Sequence, residues 1–215
     1  MQTASVTRRS RLSPDQIARA ALEIIDREGI DALSMRRVAD AVGVGTMTLY
    51  GHFRGKGELL DAVVDVAVRD QPRLRATGPW REQLGQLIRR AYRNLTAHPA
   101  LVQIRFRRPV LRPEALRFGE AGMRILREAG FDAREAAQAF RLLFMFAFGF
   151  AGLSPQATVN EARRQAAVAV AGLAPDEYPQ LTGAAEEFTW AIAGEEQFEY
   201  GLERILDGLE ARLGA

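Results

Sequence analysis

The sequence predicts an all-α protein, and three observations carry that expectation. Apolar residues recur at helical spacing from Pro14 nearly to the end of the chain. Caps and stops such as Ser13-Pro14, Gly29, Ser34, Gly43 and Asp132 break this periodicity into helix-sized pieces. No run alternates as a half-buried strand would, and there is no internal repeat or low-complexity tract. With 215 residues, 47% hydrophobic and 26% charged, the chain has material for one large helical domain, or for a small one and a larger one.

In chain order, Pro14 to Glu28 sets Ile17, Ala20, Ala21, Ile24 and Ile25 on one helical face. Ser13 stands as its N-cap, with Pro14 at the first helical position and Gly29 as the stop. Ser34 caps a second helix that buries Val38 and Ala41 and ends at Val42-Gly43. A third helix is expected from about Gly45 to Phe53, and a fourth from Lys56 to about Asp70. Pro72, Gly78 and Pro79 then interrupt the periodicity and mark a domain boundary. Trp80 to Ala97 carries Leu84, Leu87, Ile88, Ala91 and Leu95 at helical spacing. A short segment over 100–107, a helix from Pro113 to Ala129 and an apolar helix from Asp132 to about Leu153 follow. Residues 154–195, rich in Ala, Gly and Pro, predict one or two helices and a mobile loop. Glu196 to Leu213 is strongly periodic. The expected organisation is a basic arm (1–12), a three-helix N-terminal helix-turn-helix domain (13–71) and a larger C-terminal helical domain (80–215).

Net charge is only +2, and Lys56 is the sole lysine among 29 basic residues, so total charge identifies no partner. Its distribution says more, because Arg8, Arg9 and Arg11 precede the first acid, Asp15. That arm is either a solvated tail or a contact to a DNA backbone or minor groove. The absence of cysteine excludes disulfides and thiolate metal sites. No signal peptide opens the chain, and the longest apolar run, Leu142 to Leu153, is well short of the roughly 20 residues a membrane helix needs. The expectation is a cytoplasmic protein without membrane attachment.

The stretch from Ser34 to Leu60 is the most informative. It reads as a helix, a tight turn at Gly43, a second short helix with an aromatic-rich end, and a lysine opening the next helix. A helix placed in the major groove meets a distinct pattern for each base pair, while flanking groups grip phosphates. Val44 and Leu49 are expected to face Val38, Ala39 and the first helix. Gly45, Thr46, Met47 and Thr48 are then left near the groove, with Tyr50 and His52 beside it. Lys56 and the amides opening the fourth helix suit a phosphate.

At these residues the chain resembles the tetracycline-repressor family. The shared pattern comprises Ala20-Ala21-Leu22, Gly29-Ile30, Ser34, Ala39 to Val44, Thr48-Leu49-Tyr50-Gly51-His52-Phe53 and Lys56, without a gap over about 12–68. The resemblance implies a DNA-binding regulator in which Arg36, Thr46 and Met47 read bases. Thr48, Tyr50, His52 and Lys56 hold phosphate, and Leu49 and Phe53 belong to the core. Gly45 and Gly51 stand where many relatives carry larger residues, which puts more of the base reading on Arg36.

The final helix, Phe198 to Glu210, resembles the last helix of the tetracycline repressor's own subfamily, and 122–152 is a weaker match to its preceding core helices. The resemblance implies a homodimer through a four-helix core, with Phe198, Leu202, Ile205, Leu206 and Leu209 at the interface. Gly201 and Gly208 would allow close backbone approach there. Two recognition helices would then read a palindromic operator on double-stranded DNA. Both helices serving only the intramolecular core is the alternative.

Tyr92, Leu101, Phe106, Met123, Phe140, Phe144 and Phe148 are candidates for an apolar pocket. A small hydrophobic effector entering it would release DNA, as in many members of the family. His98 is the only C-terminal histidine, and Gln103-Ile104-Arg105-Phe106 occupies the neighbouring loop, so a magnesium-bound drug is not expected. Arg105, Arg107 or Arg108 would be available to an anionic effector, the alternative being that these arginines are surface charges. No metal or cofactor is expected. Neither a nucleophile with its base nor a paired-histidine or phosphate-loop motif suggests an enzyme. The remaining readings are a regulator without any effector, and a small-molecule-binding protein or enzyme with a vestigial helix-turn-helix.

Overall fold

The structure, a computed structural model, describes residues 12–70, 77–107, 113–153 and 158–214. Among them are twelve α-helices, one short 3₁₀ turn and no strand. The chain divides into two compact units, Met1–Asp70 and Gln71–Ala215. The basic-arm arginines Arg8, Arg9 and Arg11 lie outside the described residues, as do Arg108 and the side chain of Arg107.

The N-terminal unit contains α1 (Pro14–Glu28), α2 (Met35–Val42), α3 (Thr46–Tyr50) and α4 (Lys56–Arg69), with a 3₁₀ turn at Ile30–Ala32. Ser13 caps α1 reciprocally: its hydroxyl accepts from the Gln16 amide at 3.2 Å, and its own amide donates to the Gln16 side chain at 2.8 Å. Ile17, Ala18, Ala21, Leu22, Ile24 and Ile25 are buried, mostly against α4. Two bidentate pairs tie the ends of α1 and α4, Arg19 to Asp70 at 2.7 and 2.9 Å and Arg69 to Asp15 at 2.6 and 3.3 Å. The hydrogen bonds from Arg19 hold the Asp70 carboxyl below its ordinary range.

Three local expectations are corrected here. Ala20 is only half-buried and Ala18 takes its place, because α1 turns its Ile17–Ala18–Ala21 edge toward the core. Ala41 is exposed and Ala39 is buried, since the two-turn α2 packs through Met35, Val38 and Ala39 before Gly43 redirects the chain. The third helix is shorter than expected. It covers Thr46–Tyr50, and beyond Gly51 the chain continues as a turn in which the amides of His52 and Phe53 both donate to the Leu49 carbonyl. That turn carries Phe53 into the core, at 4% exposure.

The C-terminal unit contains α5 (Trp80–Ala97), α6 (Pro99–Arg107), α7 (Pro113–Ala129), α8 (Ala133–Leu153), α9 (Val159–Ala171), α10 (Pro179–Gly183), α11 (Ala185–Trp190) and α12 (Glu195–Leu213). Helix α8 is its hub and packs on α5, α6, α7 and α12. Asp132 caps it, accepting from the Glu135 amide at 2.8 Å. The segment expected to hold one or two helices holds three, because Gly172, Pro179 and Gly183 divide it into pieces that fold on α9. Arg163 of α9 secures this group by donating to the carbonyls of Trp190 (3.1 Å) and Ala193 (2.7 Å).

Candidate functional site

In the N-terminal unit, the geometry begins at the turn. Gly43 adopts φ 70°, ψ 36°, the left-handed conformation that glycine reaches at least cost, and its amide closes α2 onto the carbonyls of Ala39 and Asp40. Val44 then bonds back to the Ala39 carbonyl at 3.0 Å, so α3 leaves α2 in a fixed direction. Leu49 is fully buried and Tyr50 is exposed. One apolar anchor thus holds a five-residue helix on which Met47 is 81% exposed and Thr48 exposed, with Thr46 half-buried. An extended thioether side chain standing in solvent gains nothing for the fold.

Around this helix, Arg36 and His52 are exposed. Arg37, beside Arg36, is drawn back to Glu28 at 2.7 Å, whereas among the described residues nothing holds Arg36. The Lys56 ammonium donates to the Ile30 carbonyl at 3.3 Å, which leaves it two further protons for an outside acceptor. Glu58 was not anticipated: its carboxylate accepts from the Arg54 amide at 2.7 Å and completes the turn before α4. The Lys56-Gly57-Glu58 spacing, with an acid at the third helical position, was the available signal. Arg36, Thr46, Met47, Thr48, Tyr50, His52 and Lys56 are all accessible at least in part, on or next to α2, α3 and the start of α4.

In the C-terminal unit, α8 carries two sets of rings. Phe140, Phe144 and Phe148 succeed one another at 6.4 and 5.9 Å with interplanar angles of 20° and 27°. Phe118 of α7 lies 5.5 Å from Phe140, and Phe106 of α6 lies 5.0 Å from Phe148. Phe146 and Phe150 instead meet Phe198 of α12 at 5.4 and 5.8 Å. Tyr92 of α5 stacks on that same Phe198 at 3.8 Å. Tyr92 therefore stands apart from Phe140, Phe144 and Phe148. Its burial, with Glu195 and Glu199 nearby, raises its phenol above the ordinary range. Leu101 is buried, Met123 half-buried and Phe106 largely exposed.

On α12, Phe198, Leu202 and Leu206 are buried within the single chain, and Ile205 and Leu209 are half-covered. A Cβ on Gly201 would stand 2.5 Å from Phe146, so that glycine serves the contact with α8 inside the chain. Gly208 faces open space. Above this contact Arg81 reaches Glu203, Asp207 and Glu210, and Arg89 reaches Glu199 and Glu203, at 2.6–3.0 Å. Among the described residues no three histidines or carboxylates gather as metal ligands, and no helix is long and apolar enough to cross a membrane.

A buried anchor, a left-handed glycine turn and an exposed second helix define a helix-turn-helix DNA-binding protein. The chain belongs to the tetracycline-repressor family of transcriptional regulators. Residues 17–63 match the N-terminal domain described as "Bacterial regulatory proteins, tetR family", and 71–213 match "Tetracyclin repressor-like, C-terminal domain". It is 34% identical over 213 residues to the HTH-type transcriptional repressor DrrR1 of Streptomyces coeruleorubidus, covering 93% of this chain and 77% of that one. It is also 34% identical to the class A tetracycline repressor protein from transposon 1721 in Escherichia coli, covering 94% of this chain and 93% of that one. The crystal structure of the Streptomyces coelicolor TetR family protein ActR in complex with (S)-DNPA superposes with a TM-score of 0.81 at 33% identity, over 96% of this chain and all of that one.

Proposed function

We propose that this regulator is a cytoplasmic, non-enzymatic repressor that binds a palindromic operator as a homodimer and releases it when a small aromatic or apolar molecule enters the C-terminal unit. The observation that carries the DNA-binding half is the row of exposed α3 residues held out by one buried leucine. In this reading Thr46 and Met47 enter the major groove and Arg36 reads an adjacent base edge. Thr48, Tyr50, His52 and Lys56 hold the phosphates on either side.

Dimerisation is supported by what the single chain leaves uncovered. Leu142 and Met145 are 53% and 41% exposed, and Gly149, one turn further along α8, has nothing within 4 Å of a Cβ. On α12 Tyr200 is 61% exposed and Gly208 is open. Two amphipathic helices, each with one finished and one unfinished face, suit a four-helix core between two copies. The reading heads would then be about 34–36 Å apart, one turn of DNA.

Release is supported by the ring-lined region between α6, α7 and α8, and by ActR, a relative whose structure was solved with a small molecule bound. A ligand that prefers a conformation with mis-spaced reading heads lowers operator affinity by its differential affinity for the two states.

The test is an anisotropy titration with DNA fragments flanking the gene, at several salt concentrations, comparing wild type with Tyr50→Ala/Lys56→Ala. Tight binding that weakens steeply with salt, and is lost in the double variant, is expected. A folded dimer that binds no flanking fragment specifically contradicts the reading.

A further inference from the structure

Arg105, on α6, is held unlike Arg81 and Arg89 of the same unit. Arg81 and Arg89 each meet two or three carboxylates. The Arg105 guanidinium instead lies over the ring of Phe144, 5.0 Å from its centroid, and among the described residues no carboxylate bonds it. Burial pushes it below the ordinary arginine range, and the positive charge of Arg141 adds to that; at Arg89 the bonds to Glu199 and Glu203 outweigh burial. A desolvated cation without a counter-charge is unfavourable, and the face of one ring compensates it only in part.

We propose that the effector is a planar aromatic anion whose carboxylate or ionised phenol pairs with the Arg105 guanidinium while its ring lies against Phe144 and Phe106. This rests on the reading that the C-terminal unit senses a small molecule, and it names the chemical class. Half-buried Phe144 and Phe106, 71% exposed, offer flat apolar faces, and Phe148, 5% exposed and 5.0 Å from Phe106, forms the floor beneath them. A guanidinium donates two parallel hydrogen bonds to a carboxylate, which fixes the orientation of the bound ring. A neutral aromatic would leave Arg105 unpaired, and a cationic one would face Arg105 and Arg141 together.

Calorimetric titration of the full chain with 2-naphthoate and its neutral analogue 2-naphthamide tests this. Wild type is expected to bind naphthoate at least about tenfold more tightly, and Arg105→Gln to lose that preference while keeping its affinity for the amide. Without ligand, Arg105→Met is expected to melt higher than wild type, whereas Arg89→Met melts lower. Equal affinity for both compounds, a preference that survives Arg105→Gln, no binding of either at millimolar concentration, or a fall in melting temperature for Arg105→Met like that for Arg89→Met overturns the assignment. Operator release measured on the same samples separates it from the regulatory reading. Arg105-dependent naphthoate binding that leaves DNA affinity unchanged refutes release but upholds the site. Release by neutral aromatics without regard to Arg105 does the reverse.

Discussion

The two faces of α8 carry the same residue type for different ends. Toward α5 and α12, Phe146, Phe150, Phe198 and Tyr92 close into a packed cluster, with Tyr92 and Phe198 stacked at 3.8 Å and Phe198 fully buried. Toward α6 and α7, Phe140 and Phe144 are half-buried and Phe148 is buried, but Phe106 beside them is largely in solvent, and among the described residues no carboxylate bonds the neighbouring Arg105. Phe198 and Tyr92 are finished by contacts within the chain; Phe106 and Arg105 are not. Phenylalanine spacing alone separates core from site no better than composition does. What separates them is whether the facing helix supplies a complement.

Substitutions should widen or erase that contrast. The largest loss is expected for Phe198→Ala, about 3–5 kcal/mol in denaturant unfolding, because a fully enclosed ring leaves a cavity. A loss below about 1 kcal/mol would mean that the cluster is not a packed core. Gly201→Leu should cost about 1–3 kcal/mol, since even a Cβ meets Phe146 at 2.5 Å. Gly208→Leu should leave thermal stability of the dilute protein near wild type and instead change self-association in sedimentation equilibrium.

Phe106→Ala should stay within about 0.5 kcal/mol of wild type. Its effect should appear in the affinity for 2-naphthoate. The smallest effect concerns pH. Burial raises the Glu203 carboxyl, but hydrogen bonds from Arg81 and Arg89 outweigh it and hold the group below its ordinary value. A depressed folded value means that its stabilisation is present above the unfolded carboxylate range and fades as pH falls through the folded value. Solvent screening limits the pair to roughly 0.2–1 kcal/mol, because the Glu203 side chain is 38% exposed. Unfolding of Glu203→Gln followed from pH 7 to 3 should lose that component of the pH slope.

The N-terminal unit was far more legible than the C-terminal one, for physical reasons. Ser13, Gly29, Ser34 and Gly43 act on backbone groups within a few residues, so their roles follow from identity and position alone. Where the sequence misjudged that unit, at Ala20, Ala41 and the end of α3, small residues near helix ends left the face undetermined until packing chose. In the C-terminal unit, nothing in the spacing of Phe140 to Phe150 says which ring faces α7 and which faces α12. Gly201 and Gly208 look alike in sequence, yet one fits beneath Phe146 and the other opens to solvent. That no carboxylate among the described residues bonds Arg105 was equally hidden, because it depends on which carboxylates the fold sends elsewhere, to Arg81 and Arg89.

Lys56, bonded to the Ile30 carbonyl at the mouth of α4, is the only lysine in the chain. Apart from the terminal amine, an acylating reagent therefore has one target, and that target stands where a phosphate is expected to dock. Mild acetylation followed by peptide mass spectrometry, which separates the Lys56 acetyl from one on the terminal amine, becomes an occupancy gauge: the Lys56 acetyl should accumulate on the unbound regulator and be withheld while the operator is in place. The same scarcity makes the position a vulnerable one, since a single neutralised amine would remove the only lysine charge available to grip the backbone.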